Sequence, residues 1–136
     1  MAVPVPLHFR QRHRLTQARQ FAAAYAGKLR KSRGPITIFT LPNDLEHCRL
    51  GLSVGTRVGN AVVRNRVKRL LREAFRHEQH ALVPGYDVVV TVRPHGTSGP
   101  LPLPQYRRML VELVREADVE WKRRARREGG REEVMR

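Results

Sequence analysis

The stretch that decides this fold is GNAVVRNRVKRLLREAFR, residues 59–76. Read as a helix at about 100° per residue, it gathers its apolar residues on one side: Val63, Val67, Leu70, Leu71 and Ala74, with Phe75 at the margin. The opposite side is almost uniformly cationic and holds Arg64, Asn65, Arg66, Lys68, Arg69, Arg72 and Arg76. Asn60 can cap this helix, because its side-chain oxygen can accept a hydrogen bond from an unpaired amide of the first turn. The pattern predicts a helix held in place by its apolar side, with a nearly continuous positive surface on the other.

The positive surface has two interpretations. Charged residues on a helix are most often its solvated side. An ordinary solvated side mixes Glu with Lys at helical spacing, whereas here like charges recur at residues 64, 68, 72 and 76 and only Glu73 intervenes. Each like-charged pair costs up to about 0.5 kcal/mol, a cost that a bound polyanion would reverse. All of these cations except Lys68 are arginines, whose planar guanidinium suits phosphate, so nucleic acid is the favoured partner.

The composition points the same way. The chain has 136 residues and a formal net charge of +15, from 27 Lys and Arg against 12 Asp and Glu. The charge is uneven, since residues 1–43 contain eight basic residues and no acid. A charge of this size favours nucleic acid or an anionic membrane as the partner. The length suits one domain, which we place at residues 1–127, with an extended arm at 1–11 and a disordered charged tail at 128–136.

The sequence favours a cytoplasmic location. Cys48 is the single cysteine, so an intrachain disulfide is impossible and a reducing compartment is expected. No apolar run approaches the roughly 18 residues that a membrane span needs. The acid-free N-terminal region is similar to a mitochondrial transit peptide, but the segments after it have the pattern of parts of the fold.

Other elements are predicted on both sides of the basic helix. They are a helix over 17–26, capped by Thr16 and ended by Gly27 in a left-handed conformation, an edge strand over 28–31, and strands over 35–41, 49–54 and 86–92. The strand over 86–92 is nearly all apolar and is expected to be central and covered on both faces. A final helix begins at Pro104, and its buried stripe is expected to contain Tyr106, Met109 or Leu110, Leu113, Ala117 and Trp121. On the first helix Phe21 and Tyr25 form an aromatic stripe, which by spacing alone is best explained by packing into the core.

We recognise no catalytic constellation. Acids before residue 100 are scattered over turns and helix ends: Asp44, Glu46, Glu73, Glu78 and Asp87. The run from His77 to His80 lacks the HExxH spacing that sets two imidazoles on one helical face. Gly55 and Gly59 precede the basic helix, but no Gly-Lys-Ser/Thr follows, so the loop is not a P-loop. We therefore predict no catalytic residue and no metal site in this chain.

Residues 50–54 (LGLSV) and 57–76 (RVGNAVVRNRVKRLLREAFR) resemble the signature of the protein subunit of bacterial ribonuclease P, with Arg64-Asn65-Arg66 at its centre. Weaker similarities are Arg14-Leu15 followed by Phe21 and Tyr25, the strand bearing Phe39, and residues 87–90. The resemblance covers roughly residues 10–120.

The resemblance implies an α+β fold: a single αβββαβα domain with a small mixed sheet and a left-handed βαβ crossover through the basic helix. It also implies the protein subunit of a ribonucleoprotein endoribonuclease that removes the 5′ leader from precursor tRNA. The catalyst in that particle is the RNA, which also binds most of the Mg²⁺. The polypeptide is expected to be a monomer within the particle and to cleave no RNA alone.

The resemblance further assigns roles to individual positions. Contacts with the catalytic RNA are expected at Arg57, Asn60, Arg64, Asn65, Arg66, Lys68, Arg69, Arg72 and Arg76. The single-stranded leader is expected in a cleft between the first helix and the sheet, against Phe21, Tyr25 and Phe39. One departure is Thr56-Arg57, where the family commonly has two basic residues, so one phosphate contact is expected to be missing or to come from another residue.

Two alternatives share the composition. A small structural RNA-binding protein of the ribosomal type would be equally basic but would take no part in cleavage. A double-stranded DNA binder would place residues 60–76 in the major groove and would prefer duplex DNA over structured RNA in competition binding.

Overall fold

The computed structural model describes residues 9–94 and 99–135, with side chains through Gly129. The helices are α1 (Ala18–Ala26), α2 (Ala61–Glu78) and α3 (Leu103–Met135), and the strands are β1 (Arg30–Arg33), β2 (Ile36–Pro42), β3 (Arg49–Val54) and β4 (Tyr86–Val92). Single 3₁₀ turns lie at Gln11–His13 and Thr56–Val58. Most of the predicted extended arm, residues 1–8, falls outside the described residues, and its end at Gln11 already belongs to the first 3₁₀ turn.

The four strands form one mixed sheet in the order β1-β2-β4-β3. The β1–β2 and β2–β4 pairs are antiparallel, whereas β3 and β4 are parallel. Parallel neighbours need a long connection, and α2 supplies it between β3 and β4. The predicted αβββαβα order and mixed sheet are confirmed, as is the central position of β4, whose residues 86–90 are all buried. The left hand of the crossover stays an expectation from the resemblance.

The two faces of the sheet carry different layers. Ile36, Ile38, Val88 and Val90 face the main core, which α2 and α3 cover. Val89, which alternates with them along β4, faces a smaller cluster with Leu15 and Ala24, against which Phe21 and Phe39 pack. The side-chain period of two along a strand produces this division, and it separates the α1 side of the molecule from the α2–α3 side.

The start of α1 and the conformation at its end differ from the sequence prediction. The N-cap is Gln17 rather than Thr16, and the amides of Thr16 and Gln17 both donate to Oε1 of Gln20 at 2.9 and 3.0 Å. Gly27 is right-handed (φ −64°), and Lys28 takes the left-handed conformation (φ 55°). The predicted Thr16 cap is therefore wrong, because the side chain of Gln20 instead binds the free amides before the helix. The predicted end of the helix at Ala26 is confirmed, but the left-handed conformation predicted for Gly27 occurs at Lys28.

Two other boundaries move. The edge strand predicted at 28–31 forms two residues later, after the left-handed Lys28. Helix α3 continues to Met135, so the backbone is helical where a disordered tail is expected at 128–136. Arg, Glu and Ala have high helix propensity, and this preference extends the helix despite the pair Gly129-Gly130. Within the described residues, no helix has the length and apolar character to cross a membrane.

Candidate nucleic-acid interface

Helix α2 is anchored as its pattern predicts. Val67, Leu71, Ala74 and Phe75 are buried, and Phe75, predicted at the margin, is only 1% exposed. At the N-terminus Oδ1 of Asn60 accepts a hydrogen bond from the amide of Val63 at 3.0 Å, which confirms the predicted cap. The buried side fixes the rotation of the helix, and therefore the direction in which its cations point.

The cationic side of α2 divides into two rows by exposure. Asn65, Arg66, Arg69 and Arg72 are exposed, as are Arg57 and Asn60 just before the helix. Arg64, Lys68 and Arg76 are half-buried. Thr56, also exposed, lies with Arg57 in the 3₁₀ turn that leads to Gly59 (φ 155°). The exposed row forms a continuous positive surface with no acid between Arg57 and Arg72.

Arg76 differs from the other cations because an acid on the same helix holds it. Its guanidinium donates to both carboxylate oxygens of Glu73, at 2.8 and 3.3 Å. This hydrogen bonding lowers the pKa of Glu73 and raises the pKa of Arg76. A phosphate at Arg76 would compete with Glu73, so the positive surface is weakest at this end of the helix.

Arg64 is the cation whose hydrogen bonding is incomplete. Its Nε is buried and has no hydrogen-bond partner among the described residues. A buried donor of this kind costs free energy unless a partner reaches it. An oxygen of a bound phosphate could supply that partner through the planar, forked geometry of the guanidinium.

The three aromatic residues predicted to bind the leader lie together on the α1 side of the sheet. Tyr25 meets Phe39 edge-on, with ring centroids 4.8 Å apart. Phe21, one turn before Tyr25 on α1, packs with Phe39 against the Leu15–Ala24–Val89 cluster. Phe21 and Phe39 are half-buried and Tyr25 is 37% exposed, so the rings support the small cluster while part of their surface remains open.

A cavity of about 200 Å³ joins Phe21 to the basic helix. Phe21 forms one wall, and Lys68 and Arg72 of α2 form another. Gly51 on β3 permits the close approach of Phe21, because a Cβ at this position would meet the ring at 2.8 Å. The tertiary structure thus brings Phe21, expected to bind the leader, together with Lys68 and Arg72, expected to bind the catalytic RNA.

The same cavity contains residues that the sequence analysis did not assign to a site. Arg14 and Phe9 line it, with the guanidinium of Arg14 stacked 4.6 Å from the centroid of Phe9. Phe9 in turn packs edge-on against Phe75 of α2, with centroids 5.5 Å apart. Arg14-Leu15 was part of the family resemblance, and this was the one sign in the sequence that Arg14 belongs to the site. Its place in the cavity with Phe21 depends on a long-range contact, the β-bridge between Arg14 and Leu50.

Metal ligation finds no support in side-chain geometry. Across residues 9–94 and 99–129, no three His, Cys, Asp or Glu side chains come together in a way that could hold a metal ion. His77 instead lies 3.6 Å from Glu73 within α2, while His80 follows the end of that helix.

Comparison with known proteins gives consistent results. The family model described as Ribonuclease P matches residues 9–118. Proteins named Ribonuclease P protein component from Pseudomonas aeruginosa (strain LESB58) and Pseudomonas paraeruginosa are each 46% identical over 82 residues, or 59% of this chain. The chain spans 60% of the length of these curated relatives.

Solved structures extend the comparison to the fold. The RNase P protein of Staphylococcus aureus at 2.0 Å has a TM-score of 0.66 and 26% identity, covering 77% of this chain and 94% of that one. The RNase P protein from Thermotoga maritima has a TM-score of 0.68 and 27% identity, covering 75% and 96%. The family match includes both the cationic helix and the aromatic cluster, and this chain belongs to the Ribonuclease P family of proteins.

Proposed function

We propose that this chain is the protein component of a ribonuclease P ribonucleoprotein, the endoribonuclease that removes the 5′ leader from precursor tRNA. The observation that carries the proposal is the shared cavity in which Phe21 faces Lys68 and Arg72. A stacking surface beside a phosphate-binding surface suits a protein that holds a single-stranded substrate against a structured RNA.

In this proposal α2 binds the catalytic RNA. Arg57, Asn60, Arg64, Asn65, Arg66, Lys68, Arg69, Arg72 and Arg76 contact phosphates or riboses, with Arg76 contributing least because Glu73 already holds it. The exposed arginines offer paired donors to phosphate oxygens, and release of counterions from the RNA supplies much of the binding free energy. Arg57 alone serves the position where the family commonly has two basic residues.

The aromatic cluster binds the leader. Phe21, Tyr25 and Phe39 offer ring surfaces on which unpaired bases stack, at about 1–3 kcal/mol per base and with little dependence on sequence. That tolerance suits a protein that must accept the leaders of many different tRNAs. Arg14 lies in the same cavity and offers a cation to the phosphates between the stacked bases.

Bond cleavage belongs to the RNA in this proposal, and Mg²⁺ is held mainly by the RNA. The carboxylates of this chain agree with this assignment of Mg²⁺ to the RNA, because Glu73, the acid on the cationic side of α2, is already paired with Arg76. The protein supplies positive charge and orientation, which raises the affinity for precursor tRNA where Mg²⁺ is scarce. In this proposal the protein is present as a single copy in each ribonucleoprotein particle, and the particle is cytoplasmic.

Reconstitution tests the proposal. The purified protein is added to ribonuclease P RNA and precursor tRNA at low Mg²⁺, and formation of the mature 5′ end is measured against RNA alone and protein alone. We expect cleavage to rise with RNA and protein together and to be absent with protein alone. No rise with the RNA present would support a structural RNA-binding protein instead, and cleavage by RNA-free protein would reject the division of labour.

A further inference from the structure

The C-terminal half of α3 carries a second positive surface that lies outside the family match, which ends at residue 118. We call residues 119–129 the α3 extension. Its cations are Lys122, Arg123, Arg124, Arg126 and Arg127, against the acids Glu120 and Glu128. Like charges four residues apart, at 122 and 126 and at 123 and 127, repel each other by up to about 0.5 kcal/mol per pair, as on α2.

Three contacts hold the α3 extension against the body of the protein. Nε1 of Trp121 donates to Oγ1 of Thr40 on β2 at 2.9 Å. The guanidinium of Arg124 donates to the carbonyl oxygens of Gly27 and Lys28 at 3.2 and 3.3 Å, and stacks 5.2 Å from the Trp121 ring. The extension is therefore fixed to the segment that follows α1.

This attachment places the α3 extension next to the aromatic cluster. The amide of Lys28 donates to the carbonyl oxygen of Tyr25, so Arg124 contacts a residue that is itself bonded to Tyr25. Lys28 is exposed and adds a cation at this end of α1. The aromatic stripe of α1 thus has a cationic surface at each end: Lys68 and Arg72 beside Phe21, and Lys28 with the α3 extension beyond Tyr25.

The cations of the extension are not equally available. Lys122 pairs with Asp118 at 3.0 Å, and Arg123 pairs with Glu120 at 3.3 Å. Arg126 and Arg127 are exposed and follow Arg124 by two and three residues, and Nε of Arg126 donates to the carbonyl oxygen of Lys122 at 3.4 Å. At about 100° per residue Arg127 lies about 60° around the helix from the anchored Arg124, and Arg126 lies on the opposite side from Arg124. A strand that crosses the helix from the end of α1 therefore meets Arg127 first and Arg126 next.

We propose that Arg126 and Arg127 of the α3 extension bind phosphates of single-stranded RNA that leaves the aromatic cluster beyond Tyr25, so that this helix holds the distal 5′ part of the precursor tRNA leader. The proposal rests on the proposed function of the aromatic cluster. The leader is preferred over the catalytic RNA as the occupant, because the extension is anchored at the Tyr25 end of α1, whereas α2 adjoins the Phe21 end.

The test is a binding series with the full ribonucleoprotein and precursor tRNAs whose leaders are lengthened one nucleotide at a time. The double substitution Arg126→Gln/Arg127→Gln is compared with Arg108→Gln/Arg115→Gln, which removes the same charge from exposed positions on the N-terminal half of the same helix. The members of the two pairs are separated by about 16–29 Å along the helix axis.

With the wild-type protein we expect affinity to rise with leader length until the strand reaches the α3 extension. Arg126→Gln/Arg127→Gln should then lose roughly fivefold in affinity for long leaders, since two exposed charge contacts are each modest. The slope of log affinity against log salt should become shallower by about 1.4, because each lost contact with a single-stranded phosphate removes about 0.7. Arg108→Gln/Arg115→Gln should bind all leaders as the wild type does.

The proposal would be overturned by an equal loss for long leaders and mature tRNA, by an equal loss in the Arg108→Gln/Arg115→Gln protein, or by a loss confined to binding of the catalytic RNA without substrate. Failure of the proposed function would give a different result from failure of this proposal, because the wild-type protein would then not stimulate cleavage of any precursor tRNA, whatever the length of its leader. Wild-type stimulation with no leader-length effect of Arg126→Gln/Arg127→Gln would reject the α3 extension alone.

Discussion

Phe21 is the residue at which the two binding surfaces meet. Its ring packs on the small cluster beneath α1, fits against a position where only glycine leaves room, and forms the wall of the cavity opposite Lys68 and Arg72. Packing and stacking are therefore properties of the same side chain. A substitution that separates them is informative about function.

Phe21→Ala and Phe21→Leu provide that separation. Leucine keeps much of the apolar contact with Leu15 and Ala24 but has no ring face for a base. We expect both variants to weaken precursor tRNA binding by about 1–3 kcal/mol while mature tRNA binding changes little, measured by equilibrium binding to the reconstituted particle. Equal losses for the two tRNAs, or full activity of Phe21→Leu, would show that Phe21 has a structural role only.

Cys48 illustrates a residue whose environment controls its chemistry. Its thiol is buried and donates to the carbonyl oxygen of Val83 at 3.1 Å. Burial raises its pKa from 9.0 to about 11, because the thiolate loses its hydration there.

We predict slow alkylation of Cys48 in the folded protein near neutral pH, and rapid alkylation in denaturant. The folded group keeps its proton longer than the unfolded one, so its contribution to stability is complete below pH 9 and is lost as the pH rises toward about 11. Alkylation rates measured across this range, with and without urea, check the prediction. A folded-state rate that matches the rate in urea would contradict it.

At the scale of the element, α2 shows how one helix separates structure from binding. Its buried side holds it to the sheet and α3, so substitutions on the exposed side are expected to change binding without changing stability. Asn60 caps the helix, and the apolar side chains offset the lower helix propensity of its valines.

Arg69→Ala should weaken binding of the catalytic RNA and reduce the slope of log affinity against log salt by roughly 0.7–0.9, because one phosphate contact is lost. Arg115→Ala on α3 is the matched control, since it removes another exposed arginine that does not belong to the cationic side of α2. Binding measured over a salt series distinguishes the two. An unchanged slope in Arg69→Ala would mean that Arg69 does not touch a phosphate.

At the scale of the whole molecule, a polar link holds the sheet together where its edge meets the loop before β3. Asp87 on β4 accepts two hydrogen bonds from Arg49 on β3, each at 2.7 Å, and one from Asn43 at 3.0 Å. The carboxylate is 7% exposed and raises the pKa of Arg49 through these bonds. The pairing joins β4 to β3, the strand that bears Gly51.

Asp87→Asn should lower the free energy of unfolding by about 3 kcal/mol, because the half-buried guanidinium of Arg49 loses its counter-charge. Asp44→Asn is the control, since Asp44 is exposed in a turn with φ 59°, a conformation that asparagine tolerates. Urea unfolding of the two variants measures the difference. Similar stabilities would show that Arg49 is adequately solvated without Asp87.

The sequence predicted correctly those features of the fold that depend on the pattern of nearby residue types, and it failed where particular side-chain contacts decide the structure. The bounds of β3 and β4 and the cap of α2 follow from patterns within a few residues, and all were predictable. The start of α1 was not, because the side chain of Gln20 reaches back to the amides of Thr16 and Gln17, and the spacing of residue types does not reveal such a contact. The length of α3 was underestimated, because its charged end lacks the apolar stripe on which the prediction depended.

The sequence by itself determined the basic helix, the order of helices and strands and the residues with the chemistry to bind RNA, since each depends on periodicity or on residue type; the mixed sheet was expected only from the family resemblance. The tertiary structure alone decided which of these residues act together. The parallel pairing of β3 with β4 brings α2 beside Phe21, and the contact of Arg124 with the end of α1 brings the α3 extension beside Tyr25. The physical reason is that both juxtapositions join residues about 50 to 100 positions apart, and only the closing of the chain around its core brings them within contact distance.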